Sequence, residues 1–209
     1  MANLTESRSG TASRARRTLR RQEILGAAAG LFARRGFHGV SIDDIGAAVG
    51  MSGPGLYRHF PGKEAMLTDM LLGISQELLD QGSRRAVAAP DAPAALEALL
   101  RWHIDFALSQ PALITVQGRE LANVPEAPRR RIRRLQRLYV EEWVTVLLEL
   151  FTDTSQARLR AAVHAVFGLL NSTPHSADEM EPAAMAAMLH TMAHAALVAS
   201  AAPPRPKVR

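Results

Sequence analysis

One histidine pair, one histidine–aspartate pair and one cluster of hydrogen-bond donors are the places where this sequence could do chemistry. In HTMAH, His190 and His194 stand one helical turn apart, a spacing that lets two imidazoles share a metal ion. No glutamate follows His190 to act as a base, and no third ligand is evident, so the pair reads as an interface or solvated pair and no metal is expected. In WHIDF, His103 and Asp105 are two positions apart. On a helix such residues do not face each other, so they form no catalytic dyad. There is no glycine-rich phosphate loop, activated nucleophile or paired acid and base, and no cysteine for a thiolate site. We therefore expect no catalytic residue and no cofactor, with an enzyme kept only as the rival class.

The donor cluster is different in kind. GMSGPGLYRHF, residues 50–60, is followed closely by Lys63, which puts Tyr57, Arg58, His59 and Lys63 within seven positions. A phenol, a guanidinium, an imidazole and an ammonium so close together make a basic, aromatic surface. Such a surface needs a rigid support, and the flanking residues supply one. Ile24, Leu25, Ala28, Leu31 and Phe32 recur at helical spacing over 22–35, and Gly36 and Phe37 provide the closing turn. In VSIDDI, Ser41 can cap a second helix, Asp44 completes an approximate capping box, and Val40 and Ile45 form a hydrophobic staple. That helix ends at Gly50. Ser52 then caps a third over 53–60, with Pro54 in its first turn and Leu56 and Phe60 turned to the core. Two short helices joined through Gly50 make a helix-turn-helix.

The segment ILGAAAGLFARRGFHGVSIDDIGAAVGMSGPGLYRHFPGKEAML, Ile24 to Leu67, resembles the DNA-binding domain of the TetR family of transcriptional regulators. It departs from the family at Gly46, usually alanine, which should soften the second helix. The resemblance implies an all-α, TetR-like fold of about nine helices. It implies an operator that is palindromic double-stranded DNA, and a homodimer built on the last two long helices, at about 155–172 and 181–200. It also implies a small-molecule effector that releases DNA from a repressor, although an activator or a ligand-independent DNA-binding protein of the same fold remains the alternative. By the same resemblance 53–60 is the recognition helix. Gly53 and Gly55 would let its N-terminus approach DNA closely, and Pro54 would offer an apolar contact. Tyr57, His59 and Lys63 would contact phosphates, as would Ser41 and Ser52. Arg58 would either read a guanine or bind solvent or phosphate.

Charge supports a polyanion partner. The formal net charge is +5, and Arg8, Arg14, Arg16, Arg17, Arg20 and Arg21 face only Glu6 in the first 21 residues. The expected organisation is a basic disordered arm at 1–17, a helix-turn-helix domain at 18–63, a ligand-binding and dimerisation domain at 64–202 and a loose tail at 203–209. The arm is either a solubilising tail or a phosphate and minor-groove contact through Arg14, Arg16 and Arg17. No apolar run reads as a membrane span and no signal peptide precedes the first helix, so a cytoplasmic protein is expected, with no membrane partner.

Beyond the reading head, further helices are expected at about 63–81, 93–109, 111–123, 127–152, 155–172 and 181–200, with a loop at 82–93. Trp102, His103, Phe106, Arg119, Tyr139, Trp143, His164, Phe167 and Asn171 are aromatic or polar residues on otherwise apolar helices. Together they suggest an apolar cavity with a few polar handles for the effector. The arginines between Arg129 and Arg137 crowd the first turns of one helix and oppose its dipole, at roughly a few tenths of a kcal/mol each when exposed. They are either a solvated face or an anion site serving the acidic head of an effector such as a fatty acyl-CoA.

Overall fold

The structure is a computed structural model. It describes the backbone of residues 3–176 and 180–201 and the side chains of 14–176 and 180–201. Among these residues there are nine α-helices and no strand: α1 (Asn3–Arg35), α2 (Ile42–Ala48), α3 (Gly53–Tyr57), α4 (Lys63–Ala88), α5 (Ala92–Ser109), α6 (Pro111–Glu120), α7 (Glu126–Leu150), α8 (Gln156–Leu170) and α9 (Pro182–Ala201). Short 3₁₀ turns occupy Leu121–Asn123 and Thr173–His175.

The chain divides into two compact units. The first is Met1–Leu71 with Thr115–Arg129, and the second is Leu72–Ile114 with Arg130–Arg209. The division differs from the expected boundary at 63/64, and the first unit recruits the end of α6 from a distant part of the chain. The expected tail, 203–209, lies outside the described residues.

In the first unit, Gly36 has φ +71° and Gly50 φ +63°, the left-handed region where a side chain would be strained. These two residues end α1 and the α2 segment. Phe37 returns onto Phe32 with ring centroids 5.4 Å apart. The core consists of Ile24, Ala28, Phe32, Val40, Ile45, Leu56, Phe60, Met66 and Leu67, all almost fully buried.

Three expectations change here. The arm expected to be disordered continues α1 back to Asn3, since no proline interrupts 3–35. Helix α3 stops at Tyr57, so Arg58, His59 and Phe60 follow the helix. Gly46 is more than a weak helix former: a Cβ there would lie 2.5 Å from the Met51 carbonyl oxygen. The bare Cα is what lets the turn close against α2.

In the second unit, α4 runs on through the expected loop to Ala88. Gly82 causes no break because it is packed: a Cβ there would stand 2.6 Å from Cε2 of Tyr139. Asp91 caps α5 by accepting the Ala94 N–H at 2.8 Å, and Ser155 caps α8. Helix α9 bears on the expectation that no apolar run reads as a membrane span. Its 20 residues reach a mean hydropathy of 1.3, enough by length and composition for a span. Its buried residues form one stripe, Met185, Leu189, Ala193 and Leu197, at four-residue spacing. That is the pattern of a helix packed along one side, and α9 packs on α5 and α8.

Candidate nucleic-acid interface and ligand core

The reading head is held by charged side chains used as brackets. Arg21 donates to the His59 carbonyl and to Asp69, and its guanidinium lies 4.0 Å over the Phe60 ring. Arg20 donates to the Val49 carbonyl at 2.8 Å, fixing the end of α2. Lys63 Nζ donates to the carbonyls of Phe37 and Val40, at 2.9 and 2.8 Å, and sits 4.6 Å from the Phe37 ring centroid. The expected phosphate donor is thus a cap on the turn before α2, with one N–H left over.

Ser41 is also committed. Its hydroxyl accepts the Asp44 N–H at 3.0 Å and donates to Asp44 Oδ2 at 2.6 Å, while its own N–H donates to Asp44 Oδ2 at 2.8 Å. The Ser41 hydroxyl and N–H hold the Asp44 carboxyl below the usual carboxylate range. Ser52 occupies the N-cap position of α3 but makes no side-chain capping bond. Its hydroxyl remains available.

What the brackets leave exposed is a short list. Tyr57 is 56% exposed, which is unusual for an aromatic ring without a partner. The side chains of Arg58 and of the α1 residues Arg14, Arg16 and Arg17 are exposed, with no ion pair or hydrogen bond among the described residues. Pro54 is exposed and Gly53 half-buried, where a Cβ would meet Asp43 Oδ1 at 3.2 Å. Gly55, expected to face DNA, is buried against Met51 and Ser52. Its lack of a side chain serves the fold. His59 is half-buried, and its Nδ1 is buried without a partner. Burial, then the neighbouring Arg17 and Arg21, push its pKa below the ordinary imidazole value.

One contact set in this unit escaped the sequence reading. His38 Nε2 pairs with Asn123 Oδ1 at 2.9 Å, and Asn123 Nδ2 donates to Glu120 at 2.7 Å. This ties the loop after α1 to the end of α6. The available signal was Glu120 itself, which is 8% exposed: an acid in an apolar stretch needs a local donor.

In the second unit, most of the residues expected around an effector do meet, and they pack on one another. His103 stacks on Phe167 with centroids 4.5 Å apart and on Tyr139 at 5.8 Å, and Trp143 stands edge-on to all three rings. The His103 ring lies between Tyr139 Oη, at 3.3 Å from Nδ1, and Asn171 Oδ1, at 3.1 Å from Nε2. Because an amide oxygen only accepts, Nε2 must carry the hydrogen and Nδ1 must accept from the phenol. Burial lowers the His103 pKa to about 4, so the ring is neutral. Burial likewise pushes the Tyr139 phenol well above its ordinary value. The Trp143 indole N–H interacts with the Tyr139 side chain yet meets no acceptor in hydrogen-bonding geometry.

The other expected ligand residues lie elsewhere. Trp102 is half-buried under Arg85, whose guanidinium is 4.4 Å from its ring, and Phe106 packs beside it at 6.3 Å. His164 is exposed on α8, and Arg119 is exposed near the end of α6, in the first unit. Within the arginine cluster, Arg129 is bonded to Glu126 and the Ala122 carbonyl, and Arg130 also has partners. Arg131, Arg133, Arg134 and Arg137 are exposed. His190 Nε2, on α9, donates to Glu97 Oε2 at 2.6 Å, and the ring stacks on His194 at 6.2 Å.

Comparison with known proteins agrees with this geometry. The family model described as bacterial regulatory proteins, tetR family, matches residues 24–70. The HTH-type transcriptional repressor KstR2 of Rhodococcus jostii (strain RHA1) is 38% identical over 81 residues, which is 39% of this chain and 40% of the length of that relative. The crystal structure of a TetR-family transcriptional regulator from Bordetella parapertussis 12822 superposes with a TM-score of 0.75 at 26% identity, over 83% of this chain and 93% of that one. AibR in complex with isovaleryl coenzyme A and operator DNA shares the fold, with a TM-score of 0.67 at 22% identity over 83% of this chain and 97% of that one.

Proposed function

Because the chain belongs to the TetR family of bacterial regulatory proteins, we propose that it is a cytoplasmic, homodimeric repressor that binds a palindromic operator and leaves it when a small effector binds. The observation that carries this reading is the sorting of cations in the first unit. The side chains of Arg20, Arg21 and Lys63 are bonded inward, whereas those of Arg14, Arg16, Arg17 and Arg58, and the Tyr57 ring, are exposed without partners among the described residues. A set of exposed, uncompensated cations sets up a positive field that a polyanion completes, with release of its counterions. Arg58 follows a well-fixed helix and is the one long donor able to grip a guanine edge with two hydrogen bonds. Tyr57, His59 and Ser52 supply phosphate contacts that set register, and the α1 arginines add contacts along the backbone or in the minor groove.

Dimerisation through α8 and α9 is supported by the exposed faces of those helices. Ala161, Ala165 and Gly168 allow close approach on α8, and Met188, Met192 and Val198 expose apolar surface on α9. An effector with an apolar body would displace the stacked rings around His103, Tyr139, Trp143 and Phe167. The Trp143 N–H, His103 and Asn171 would then supply polar handles. An amphipathic effector of the acyl-CoA type suits this site, and AibR, which shares the fold, is known with isovaleryl coenzyme A. The effector acts by favouring the DNA-incompetent arrangement of the paired reading heads.

The test is a binding series on a duplex selected from a random library and on random duplex. Tyr57→Phe and His59→Ala should weaken both equally. Arg58→Ala should relax discrimination at one base pair by about 1–3 kcal/mol. Equal losses for Arg58→Ala on both duplexes remove its reading role. Titrating the selected complex with long-chain acyl-CoAs, fatty acids and neutral apolar compounds then sorts the effector. Release by neutral compounds alone removes the acidic head from the reading.

A further inference from the structure

Helices α7 and α8 enclose a groove on the second unit that the reading above does not use. It is a cavity of about 310 Å³ lined by Arg133, Gln136, Arg137, Val140, Glu141, Arg160 and His164. Val140, only 6% exposed, forms its apolar floor. The polar walls are unequal. Arg160 is committed to Glu141 by two bonds, Nε to Oε1 at 2.6 Å and Nη2 to Oε2 at 2.9 Å, and Gln156 adds a donor to the same carboxylate at 3.4 Å. Arg133 and Arg137 have no ion pair or hydrogen bond among the described residues. They stand one turn apart on the same face of α7, an arrangement in which like charges repel. Glu141 cannot quiet them, because it already answers Arg160. The groove therefore carries an excess of two positive charges beside an apolar floor, with Gln136 and His164 as further hydrogen-bonding groups.

We propose that this groove binds the dianionic phosphate of an organic phosphate ester, with Arg133 and Arg137 forking its oxygens and Val140 receiving the start of its apolar body. Two guanidiniums match a doubly charged phosphate in both charge and geometry, since each presents paired N–H groups to paired oxygens. A single carboxylate would leave one arginine uncompensated. The inference deepens the effector reading by giving an acidic head a place, and it rests on that reading only for its consequence at DNA. As a binding site it stands alone.

The probe is phenyl phosphate, titrated calorimetrically into the full-length protein at pH 7.5 and constant ionic strength, with benzyl alcohol and benzoate as neutral and singly charged counterparts. The expected result is measurable binding of phenyl phosphate, at least tenfold tighter than benzoate, and none of benzyl alcohol. The pair Arg133→Gln with Arg137→Gln should weaken it at least tenfold. The pair Arg131→Gln with Arg134→Gln removes the same charge from the same helix outside the groove and should change it less than twofold. Glu141→Gln frees Arg160 and should tighten binding several-fold.

Equal losses from the two arginine pairs would reduce the effect to general attraction and overturn the site. So would equal binding of benzoate and phenyl phosphate. If the Arg133 and Arg137 changes instead shift the dimer dissociation measured by sedimentation and leave phosphate binding unmoved, the groove is a subunit contact and the proposal fails. Release of operator by an acyl-CoA from a protein that does not bind phenyl phosphate would sink this site and leave the repressor reading standing.

Discussion

The two units handle polar side chains in opposite ways. In the reading head, donors that shape the fold are bonded to backbone carbonyls, and those that remain point outward with nothing to bind: Tyr57, Arg58 and the α1 arginines. In the second unit, His103, Tyr139 and Asn171 turn inward and satisfy one another between stacked rings. The difference teaches what each kind of site needs. A partner that is always the same, the phosphate backbone, can be met by fixed donors on an exposed edge. On the proposed reading, an effector that is present only sometimes would find its space filled in its absence by the side chains themselves.

That comparison can be broken at its inward side first. The unfolded chain takes a proton on His103 near its ordinary pKa of 6.5, while the folded ring resists it down to about 4. The unfolded state therefore binds more protons within that window, and stability must fall as pH drops through it. The loss is up to about 1.4 kcal/mol per pH unit, or about 3 kcal/mol in all. Urea denaturation from pH 7 to 4.5 should show a steeper loss for the wild type than for His103→Gln. Parallel curves would mean that the ring is solvated and the inward network is not closed.

The next effect tests whether Lys63 belongs with the brackets or with the outward donors. Lys63→Ala removes two charge-assisted bonds to the Phe37 and Val40 carbonyls and should cost about 1.5–3 kcal/mol of stability. DNA affinity should fall only as the folded fraction does. Unchanged stability together with lost operator binding would return Lys63 to the phosphate-contacting set.

The smallest effect concerns Ser41, whose hydroxyl is already donating and accepting. Ser41→Ala should cost about 1 kcal/mol by removing the cap, with operator affinity held within twofold. A tenfold loss of affinity at unchanged stability would place that hydroxyl on DNA.

Much of the reading head was legible because its signals are local. Gly36, Ser41, Asp44, Gly50 and Pro54 announce caps and turns within a few residues, and α2 and α3 begin where those residues say. The roles of Lys63 and Gly55 were not legible. A lysine's partners and a glycine's neighbours are set by residues elsewhere in the fold, here the Phe37 and Val40 carbonyls and the Met51 side chain. Gly82 failed as a loop signal for the same reason, since Tyr139, far along the chain, occupies the space its side chain would need. The ring cluster around His103 was found by residue type alone. His164 and Arg119 share those types without sharing the place, because type does not say which face of a helix turns inward.

The notch at Gly46 has one more consequence. Its Cα faces the Met51 carbonyl with no room for a further carbon. Every single-base change in a glycine codon that alters the residue introduces a Cβ. The position thus has no silent neighbours among protein variants: any step away from glycine moves the turn, and with it the seat of the reading helix. Alanine is usual at this position in the family the segment resembles, so the turn after α2 must be seated differently where that methyl group is present, and Gly46 sets the angle at which α3 is offered in this chain.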